Sequence, residues 1–584
     1  MPNDFPSSLD TAPPVLDRPK DWTQIAAAKR AARDALIPPA WRLPDKPEYT
    51  DESSPAYLLD VTGVPASCGI LTPDELVITD TPADEILRNV HSGKWTARAV
   101  AEAFCKRAAV AQQLVNCLTE ICFEDALKRA DELDAIFKET GKPVGPLHGL
   151  PVSLKDCFKV KGLDTTVGYI AWCNEPMMEE SLLTSILRET GAVIYCKTNV
   201  PTAMMIAETY NNVWNRTLNP YNRRLSPGGS SGGEAALLAM KGSPLGVGTD
   251  IGGSIRIPGT CAGLYTLRPS LGRFPTLGAR SGMAGQEAIH SVNGPMSRSL
   301  SALSTFASAV VSTQPWLRDP KSLPIPWRPT TLPSTLCFGL IADDGVVRPN
   351  PPVRRALAAT AAALRAAGHT VIDLPALDHA GGDDLRRQCF LADGGTSIKK
   401  VIEEGGEPWP AGLREYGEKG TPHPTTYEMW QIHLKRTAWC QRYLAHWAAT
   451  RERTGTGRPI DGIIMPTAPY AAIRHDKWEY VGYTAVWNVL DWSAATVPVL
   501  RADPAKDPAD LEYTPRNILD EHAWKEYVPE EYEGGPVSVQ VVGQRLEEEK
   551  VLALCEVVEN SLREAGYRYE EIFGESSRCI HGPR

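Results

Sequence analysis

Helix and strand patterns alternate along most of this 584-residue chain, and this alternation most limits the fold it can adopt. Apolar residues repeat every three to four positions over residues 97–114 and 353–364, which is typical of helices with one buried face. Short β-branched strands follow such helices after a glycine, as at 192–196 and 370–374. The pattern predicts an α/β fold with a mixed, mostly buried central β-sheet flanked by helices on both faces.

Two regions depart from this alternation. Residues 1–71 are rich in proline and polar residues apart from one helical stretch at 22–36, and are predicted to form an N-terminal arm. Residues from about 377 to 460 are interpreted as an insertion of polar loops, among them an exposed loop at 403–407, that covers the functional site. The insertion also contains one long helix, at 425–451, which carries the aromatic side chains Trp430, Trp439, Tyr443 and Trp447.

Composition excludes several classes of partner. The chain has 61 basic and 71 acidic residues, a net charge of −10, and no basic run, which argues against nucleic acid or an anionic membrane surface. No segment reaches the roughly 18 apolar residues of a membrane span, and the N-terminus lacks a signal-peptide pattern. Thirteen scattered cysteines without a Cys-x-x-Cys pair indicate reduced thiols and a cytoplasmic location. A small, roughly neutral substrate fits this composition.

Two glycine- and serine-rich segments carry the chemistry. Residues 226–234 read SPGGSSGGE and residues 248–256 read GTDIGGSIR, while Lys155 ends an apolar strand predicted at 149–154. Glycine-rich backbone can direct N–H groups at a developing negative charge, and serine and lysine supply a nucleophile and a base. These groups are the parts of an acyl-transfer enzyme.

Two other interpretations of the glycine-rich segment are weaker. A phosphate cradle would need a following Lys-Ser/Thr pair, which is missing. A nucleophile elbow would centre on Ser231, because residues 229–233 match G-x-S-x-G, but residues 222–227 are not the apolar strand that an elbow leaves. An elbow also requires a histidine base. The candidates, none in a distinctive context, are His290, His369, His379 and His475.

A serine–lysine site requires a lysine that burial keeps uncharged, because only the free amine accepts a proton. Lys155 follows the apolar strand directly, but a lone lysine there is more often a surface residue, so its significance comes from the two serine segments. Two cysteines near these motifs are alternative nucleophiles. Lys155 and Lys159 flank Cys157 and could lower the pKa of its thiol, whereas Cys261 has no close basic neighbour.

Three segments together resemble the amidase signature family. They are GLPVSLKD at 149–156, GGSSGGE at 228–234 and GTDIGGSIR at 248–256. Lys155 precedes Ser230 by 75 residues and Ser230 precedes Ser254 by 24, as in the fatty-acid amide hydrolases. Further segments are similar to the fungal acetamidase branch, at 104–109, 143–148, 213–220 and 536–543.

The resemblance implies the amidase signature fold, with a catalytic domain over 72–584 and core motifs at 149–275. It implies that Ser254 is the nucleophile, Ser230 a bridging serine after a cis peptide bond from Gly229, and Lys155 the base. The implied oxyanion donors are the N–H groups of Ile251, Gly252, Gly253 and Ser254. The implied supporting residues are Ser231, Asp250 and Arg256, and the implied substrate-binding residues are Met204, Met205 and Trp487. No metal and no cofactor are implied.

The predicted activity is hydrolysis of carboxylic amides to an acid and ammonia or an amine through an acyl-enzyme, with small aliphatic or aryl amides as substrates. Other family members act on carbamates, esters or fatty amides, which remain alternatives. An amidotransferase (transamidosome) subunit and an inactive scaffold are alternatives of a different class. A homodimer is expected because relatives often form one.

Overall fold

A computed structural model describes residues 21–417 and 419–574, and the strands of this part form one eleven-stranded sheet. The strands are β1 (Leu118–Ile121), β2 (Pro151–Lys155), β3 (Val193–Thr198), β4 (Leu245–Asp250), β5 (Tyr265–Arg268), β6 (Val292–Ser297), β7 (Cys337–Leu340), β8 (Thr370–Asp373), β9 (Gly462–Pro466), β10 (Ala494–Arg501) and β11 (Pro536–Val542). Their order is β1-β3-β2-β4-β6-β5-β10-β11-β9-β7-β8. Strands β3, β2 and β4 run parallel, and so do β9, β7 and β8. The edge pair β1–β3 and all pairs from β4 to β9 are antiparallel, so the sheet is mixed, as predicted.

Helices flank the sheet. They are α1 (Trp22–Ala35), α2 (Pro47–Thr50), α3 (Val64–Ser67), α4 (Pro73–Asp80), α5 (Ala83–His91), α6 (Ala97–Val115), α7 (Phe123–Thr140), α8 (Leu182–Glu189), α9 (Gly232–Ala239), α10 (Arg256–Cys261), α11 (Leu300–Ser312), α12 (Pro351–Ala366), α13 (His379–Phe390), α14 (Thr396–Gly405), α15 (Thr426–Ala449), α16 (Gly482–Leu490), α17 (Ile518–Glu526), α18 (Glu548–Glu564) and α19 (Tyr569–Phe573). The predicted α/β class is confirmed. Within the described ranges, no helix is both long and apolar enough to cross a bilayer.

Strands β2 and β4 bring two buried charged residues, Lys155 and Asp250, close together. They are adjacent and parallel, so their carboxyl ends, Lys155 and Asp250, meet at the same edge of the sheet. Helix α9 packs against β2, β3 and β4 and is buried along its whole length. A side chain at Gly233 would place its Cβ 2.3 Å from the Asn199 nitrogen, so glycine is required for this close approach.

Helix α1 ties the N-terminal region to the body. Ile25 and Ala26 pack against Trp214, and Lys29 Nζ lies 2.9 Å from both Glu120 Oε1 and Asp164 Oδ2. These contacts bury most of both carboxylates. The first 20 residues of the predicted arm lie outside the described residues, and the division of the chain at residue 71 stays a prediction.

The region 377–460 contains more regular structure than predicted. Besides α15 it holds α13, α14 and a 3₁₀ helix at Ala411–Tyr416, so the region is helical, as predicted, but has more helix and less polar loop than expected. Charged residues interrupt the apolar face of α13, which hides its helical period in the sequence. Within α15, Trp439, Tyr443 and Trp447 are buried in the core whereas Trp430 is 62% exposed.

The expectation of an exposed loop at 403–407 was only partly right, since Glu403, Glu404 and Gly406 are exposed but most of the segment is helical. Residues up to Gly405 belong to α14, and the Glu407 side chain is buried. Its carboxylate accepts hydrogen bonds from Ile170 N and Asn212 Nδ2, both at 2.8 Å. No local pattern indicates these partners, because they lie 237 and 195 residues away along the chain.

Candidate active site

Lys155 is a buried lysine surrounded by hydroxyl groups. Its Nζ lies 2.7 Å from Ser230 Oγ, 2.7 Å from Thr249 Oγ1 and 3.4 Å from the Thr249 carbonyl oxygen. Among the described residues, no carboxylate forms an ion pair with it. Burial lowers the pKa of Lys155 to about 8, and the acidic neighbours Cys157, Asp250 and Glu234 only partly oppose this effect. The amine is therefore available in its free form near neutral pH.

Ser230 follows a cis peptide bond from Gly229, as the resemblance implied. The two positions before Ser230 require glycine, because a Cβ atom at either one would clash with neighbouring backbone. A Cβ at Gly228, where φ is +78°, would lie 2.8 Å from Pro258 Cα, and one at Gly229 would lie 2.5 Å from the Glu208 carbonyl oxygen. These close contacts hold Ser230 against Lys155, and Ser230 itself is only 1% exposed.

Ser231 links the two serine segments through its backbone. Its N–H donates to the Ser254 carbonyl at 3.2 Å, and its Oγ accepts a long hydrogen bond of 3.4 Å from Thr249 N. Its hydroxyl therefore contacts the residue that borders Lys155 rather than Lys155 itself.

Ser254 lies at the surface of a cavity. It is partly exposed, and its hydroxyl makes no hydrogen bond to any residue in the described ranges. The hydrogen bond from Lys155 to Ser230 is thus formed in this structure, while the Ser254 hydroxyl remains free at the cavity wall.

Backbone N–H groups converge beside Ser254. Within the described part of the chain, those of Ile251, Gly252 and Ser254 have no acceptor. The N–H of Gly253 instead donates to Asp250 Oδ1 at 2.8 Å, so it is not free as the resemblance implied. Gly253 has φ +131°, and a Cβ there would lie 2.2 Å from Thr484 Oγ1. Glycine at 253 therefore shapes the loop that presents the other three donors.

Asp250 and Arg256 form a buried bidentate ion pair. Arg256 Nε lies 3.0 Å from Asp250 Oδ2, and Nη2 lies 3.1 Å from Oδ1. Burial by itself would raise the pKa of Asp250, but the charge and hydrogen bonds of Arg256 hold it well below the usual range. This pair fixes both ends of the Gly-Gly-Ser loop, the bracing position that the resemblance implied.

Helix α16 and strand β11 complete this network with residues that the sequence did not reveal. Arg256 also donates to Asn488 Oδ1 at 2.7 Å, to the Thr484 carbonyl at 3.1 Å and to Gln540 Oε1 at 3.1 Å. Thr249, which holds the lysine amine, was missed as well. Its place directly before Asp250 in the GTDIGGSIR segment was the available signal.

Trp487 does not occupy the predicted position. It is fully buried and packs against His379, Tyr443 and Trp492, with ring centroids 5.8, 5.6 and 5.9 Å away. The side chain of the next residue, Asn488, bonds to Arg256 and Asp250, whereas Trp487 packs on the aromatic core. The expectation that Trp487 lines the substrate channel was wrong.

The cavity at Ser254 has a volume of about 690 Å³. Met204 and Met205 lie on its wall, as predicted, together with Ile251 and Phe390. Residues 383–390 and Ala411–Tyr416 supply another part of the wall, so the region 377–460 borders the site. Charged side chains also line the cavity, among them Arg414, which pairs with Glu479.

The alternative nucleophiles and bases are not supported. Burial raises the pKa of Cys157 to about 11 and that of Cys261 still further, so neither thiol ionises readily. Burial lowers the pKa of His379 and His475 to about 4. None of the four candidate histidines lines the cavity. In the described ranges, no three His, Cys, Asp or Glu side chains are grouped as metal ligands would be.

Comparisons with known proteins agree with this arrangement. The family model described as Amidase matches residues 99–552. Acetamidases from Aspergillus oryzae and Emericella nidulans are 42% and 41% identical to this chain, and each alignment covers 92% of this chain and 98% of the relative. A solved structure of fatty acid amide hydrolase is 33% identical, with a TM-score of 0.87 over 93% of this chain and 95% of that one. The chain therefore belongs to the amidase family and is an amide hydrolase.

Proposed function

We propose that the chain cleaves carboxylic amides with Ser254 as nucleophile, Ser230 as proton relay and Lys155 as base. The observation that carries this proposal is the distance of 2.7 Å between the buried Lys155 Nζ and Ser230 Oγ. A lysine without an ion-pair partner is costly to bury when charged, so the site favours the free amine. Its lone pair can accept the proton of Ser230, while its N–H donates to Thr249.

In the proposed reaction, the proton of Ser254 passes to Ser230 as the proton of Ser230 passes to Lys155. Ser254 then attacks the amide carbonyl, and the N–H groups of Ile251, Gly252 and Ser254 bind the oxyanion. The proton returns through Ser230 to the leaving nitrogen, because an amine leaves poorly unless it is protonated. Water repeats the sequence to release the acid.

We propose uncharged small aliphatic or aryl amides as substrates. The lining of the Ser254 cavity includes the apolar side chains of Met204, Met205, Ile251 and Phe390, which suit an uncharged acyl group. Carbamates, esters and fatty amides remain alternatives. Measuring kcat/KM over a panel of amides of increasing acyl length, with the matching esters, tests this substrate class.

The catalytic assignment is tested with Ser254→Ala. This variant should keep the fold, lose turnover, and no longer react with a fluorophosphonate probe that labels serine nucleophiles. Ser308→Ala is the matched control, since Ser308 is exposed and its hydroxyl donates to the Thr305 carbonyl of its own helix. Sustained hydrolysis by Ser254→Ala would contradict the assignment, and a wild-type enzyme without labelling at Ser254 would favour an inactive scaffold.

The amidotransferase alternative requires a partner that receives ammonia. The acidic balance of the chain and its similarity to acetamidases argue against a partner bound to tRNA. Turnover of a simple amide by the purified chain alone would separate the two functions.

A cytoplasmic location is proposed from the twelve described cysteines, all free thiols, and a homodimer is proposed from the resemblance only.

A further inference from the structure

Glu234 is a fully buried carboxyl group next to the proposed base, and the mechanism above does not use it. It follows Ser230 by four residues and belongs to the first turn of α9. Its Oε2 accepts a hydrogen bond from Thr198 Oγ1 at 2.7 Å, and its Oε1 is hydrogen-bonded to Ser153 Oγ. A Cβ at Gly246 would lie 2.0 Å from Glu234 Oε1, so β4 leaves space for this carboxyl group. Residues of β2, β3 and β4 therefore surround the Glu234 carboxyl group.

Both hydroxyls that hold Glu234 are neighbours of Lys155. Ser153 and Lys155 are alternate residues of β2 and therefore point to the same face, about 6.6 Å apart. Thr198 on β3 is the register partner of Lys155. The carboxyl group of Glu234 consequently lies beside the lysine, although no direct contact joins them.

The surroundings leave Glu234 without a compensating charge. No described lysine or arginine forms an ion pair with it, and the titratable groups near it are Lys155, Tyr195, Cys196 and Cys117. Burial raises the pKa of the tyrosine and of both thiols, so these groups are neutral.

Lys155 itself has three acidic neighbours. They are Cys157, Asp250 and Glu234. The pKa of the Cys157 thiol is raised to about 11, so it is neutral, and Arg256 compensates Asp250. Glu234 is therefore the neighbour whose negative charge acts on Lys155 without compensation.

We propose that Glu234 is a positioning residue whose charge sets how readily Lys155 takes the proton of Ser230. This inference rests on the proposed function. Burial raises the pKa of Glu234 to about 7, so it is mostly ionised in the range where Lys155 loses its proton. An ionised carboxylate beside the amine favours the protonated form of Lys155 and makes it a stronger base.

The test is the pH profile of kcat/KM for Glu234→Gln. The glutamine amide can donate to Ser153 and its carbonyl can accept from Thr198, so the hydrogen bonds are kept while the charge is lost. Loss of the negative charge disfavours protonated Lys155, and the acid limb of the profile should move to lower pH by about one unit. A purely structural role would change thermal stability without moving this limb.

Glu407→Gln is the matched control. Glu407 is also a buried carboxyl group whose pKa burial raises to about 7, but it is bonded to Ile170 and Asn212 and is not among the charges that act on Lys155. The Glu407→Gln variant should leave the acid limb in place.

Thr198→Val is a second test if Glu234→Gln does not fold. Thr198→Val removes a hydrogen-bond donor to the ionised Glu234. The acid limb of its kcat/KM profile should therefore also move to lower pH, by less than in Glu234→Gln.

Failure of this inference and failure of the proposed function are distinguishable. Turnover by Ser254→Ala would overturn the proposed function itself. If Ser254→Ala is inactive and the acid limb of folded Glu234→Gln coincides with that of the wild type or moves to higher pH, the role of Glu234 alone is overturned. If Glu234→Gln does not fold, an unmoved limb in Thr198→Val overturns it in the same way.

Discussion

The floor and the wall of the cavity differ in how they are held. The floor, defined here as Lys155, Ser230, Thr249, Asp250 and Arg256, is almost completely buried, and its polar groups bond to one another or to adjacent strands and helices. The wall, defined as the cavity-lining residues of 204–210, 383–390, Ala411–Tyr416 and 476–481, is partly exposed and mixes apolar with charged side chains. A rigid floor fixes the reaction, whereas the wall is free to vary with the substrate.

The largest difference is expected from the two buried lysines on neighbouring strands. Lys155 has no ion-pair partner among residues 21–417 and 419–574, whereas Lys197 on β3 lies 3.4 Å from Asp156 Oδ1. Lys155→Met should lower kcat/KM by at least about 10³-fold with little loss of thermal stability, since a charge-prone amine is replaced by an apolar chain. Lys197→Met should instead destabilise the fold by about 3–5 kcal/mol, because Asp156 is left unpaired. Equal effects on stability would contradict this distinction.

Ion pairs of the floor and the wall should differ next in their effect on folding. Asp250→Asn leaves Arg256 buried without a full counter-charge and should cost about 3–5 kcal/mol. Glu479→Gln breaks the pair with Arg414, which is 68% exposed, and should cost less than about 1 kcal/mol. Urea unfolding of both variants at one pH measures the difference. A large cost for Glu479→Gln would show that the wall is as rigid as the floor.

Gly252 and Gly253, adjacent in the loop between Asp250 and Arg256, form a third comparison. Gly253→Ala forces a Cβ against Thr484 at a left-handed backbone position and should lower kcat by about 10²–10³-fold through displaced oxyanion donors. At Gly252 the nearest atom to a Cβ is 3.9 Å away, on Phe390, so Gly252→Ala should lower kcat by less than about tenfold. Steady-state kinetics with one amide provides the measurement, and similar losses in both variants would refute the role of Gly253.

The smallest effect is expected from substituting a wall residue. It should appear as a change in the kcat/KM of one amide relative to another. Phe390→Ala enlarges the cavity and should raise the kcat/KM of a bulky aryl amide relative to acetamide by about tenfold. Trp430→Ala serves as the control, because this side chain is 62% exposed and does not line the cavity. An unchanged ratio in Phe390→Ala would indicate that other residues decide acyl size.

The sequence predicted the floor better than the wall for a physical reason. Lys155, Ser230 and Asp250 lie in short segments whose glycines are needed locally, so their pattern is readable without knowledge of the fold. Thr249 and Glu234 lie in the same segments, yet what they do depends on the register of β2, β3 and β4. A register between distant strands is not encoded in any one segment.

Predictions outside the floor failed where they depended on the rotation of a helix or on distant partners. Assigning Trp487 to the channel required knowing which face of α16 turns toward Arg256. The burial of Glu407 depends on Ile170 and Asn212, which come from elsewhere in the chain. Helix α13 was missed because Gly382 and Arg386 interrupt its buried face, and α14 was missed because it is only ten residues long. The α/β class needed none of this information and was predicted correctly.

The attachment of helix α1 bears on how much of the chain is needed for autonomous folding. Residues 99–552 match the family model, but Lys29 lies well before this range and supplies the positive charge for Glu120 and Asp164. Glu120 is on β1, the edge strand next to β3. A polypeptide trimmed to the matched range would leave two acidic groups facing each other at the sheet margin, and the shortest independently folding version of this enzyme should begin no later than Trp22.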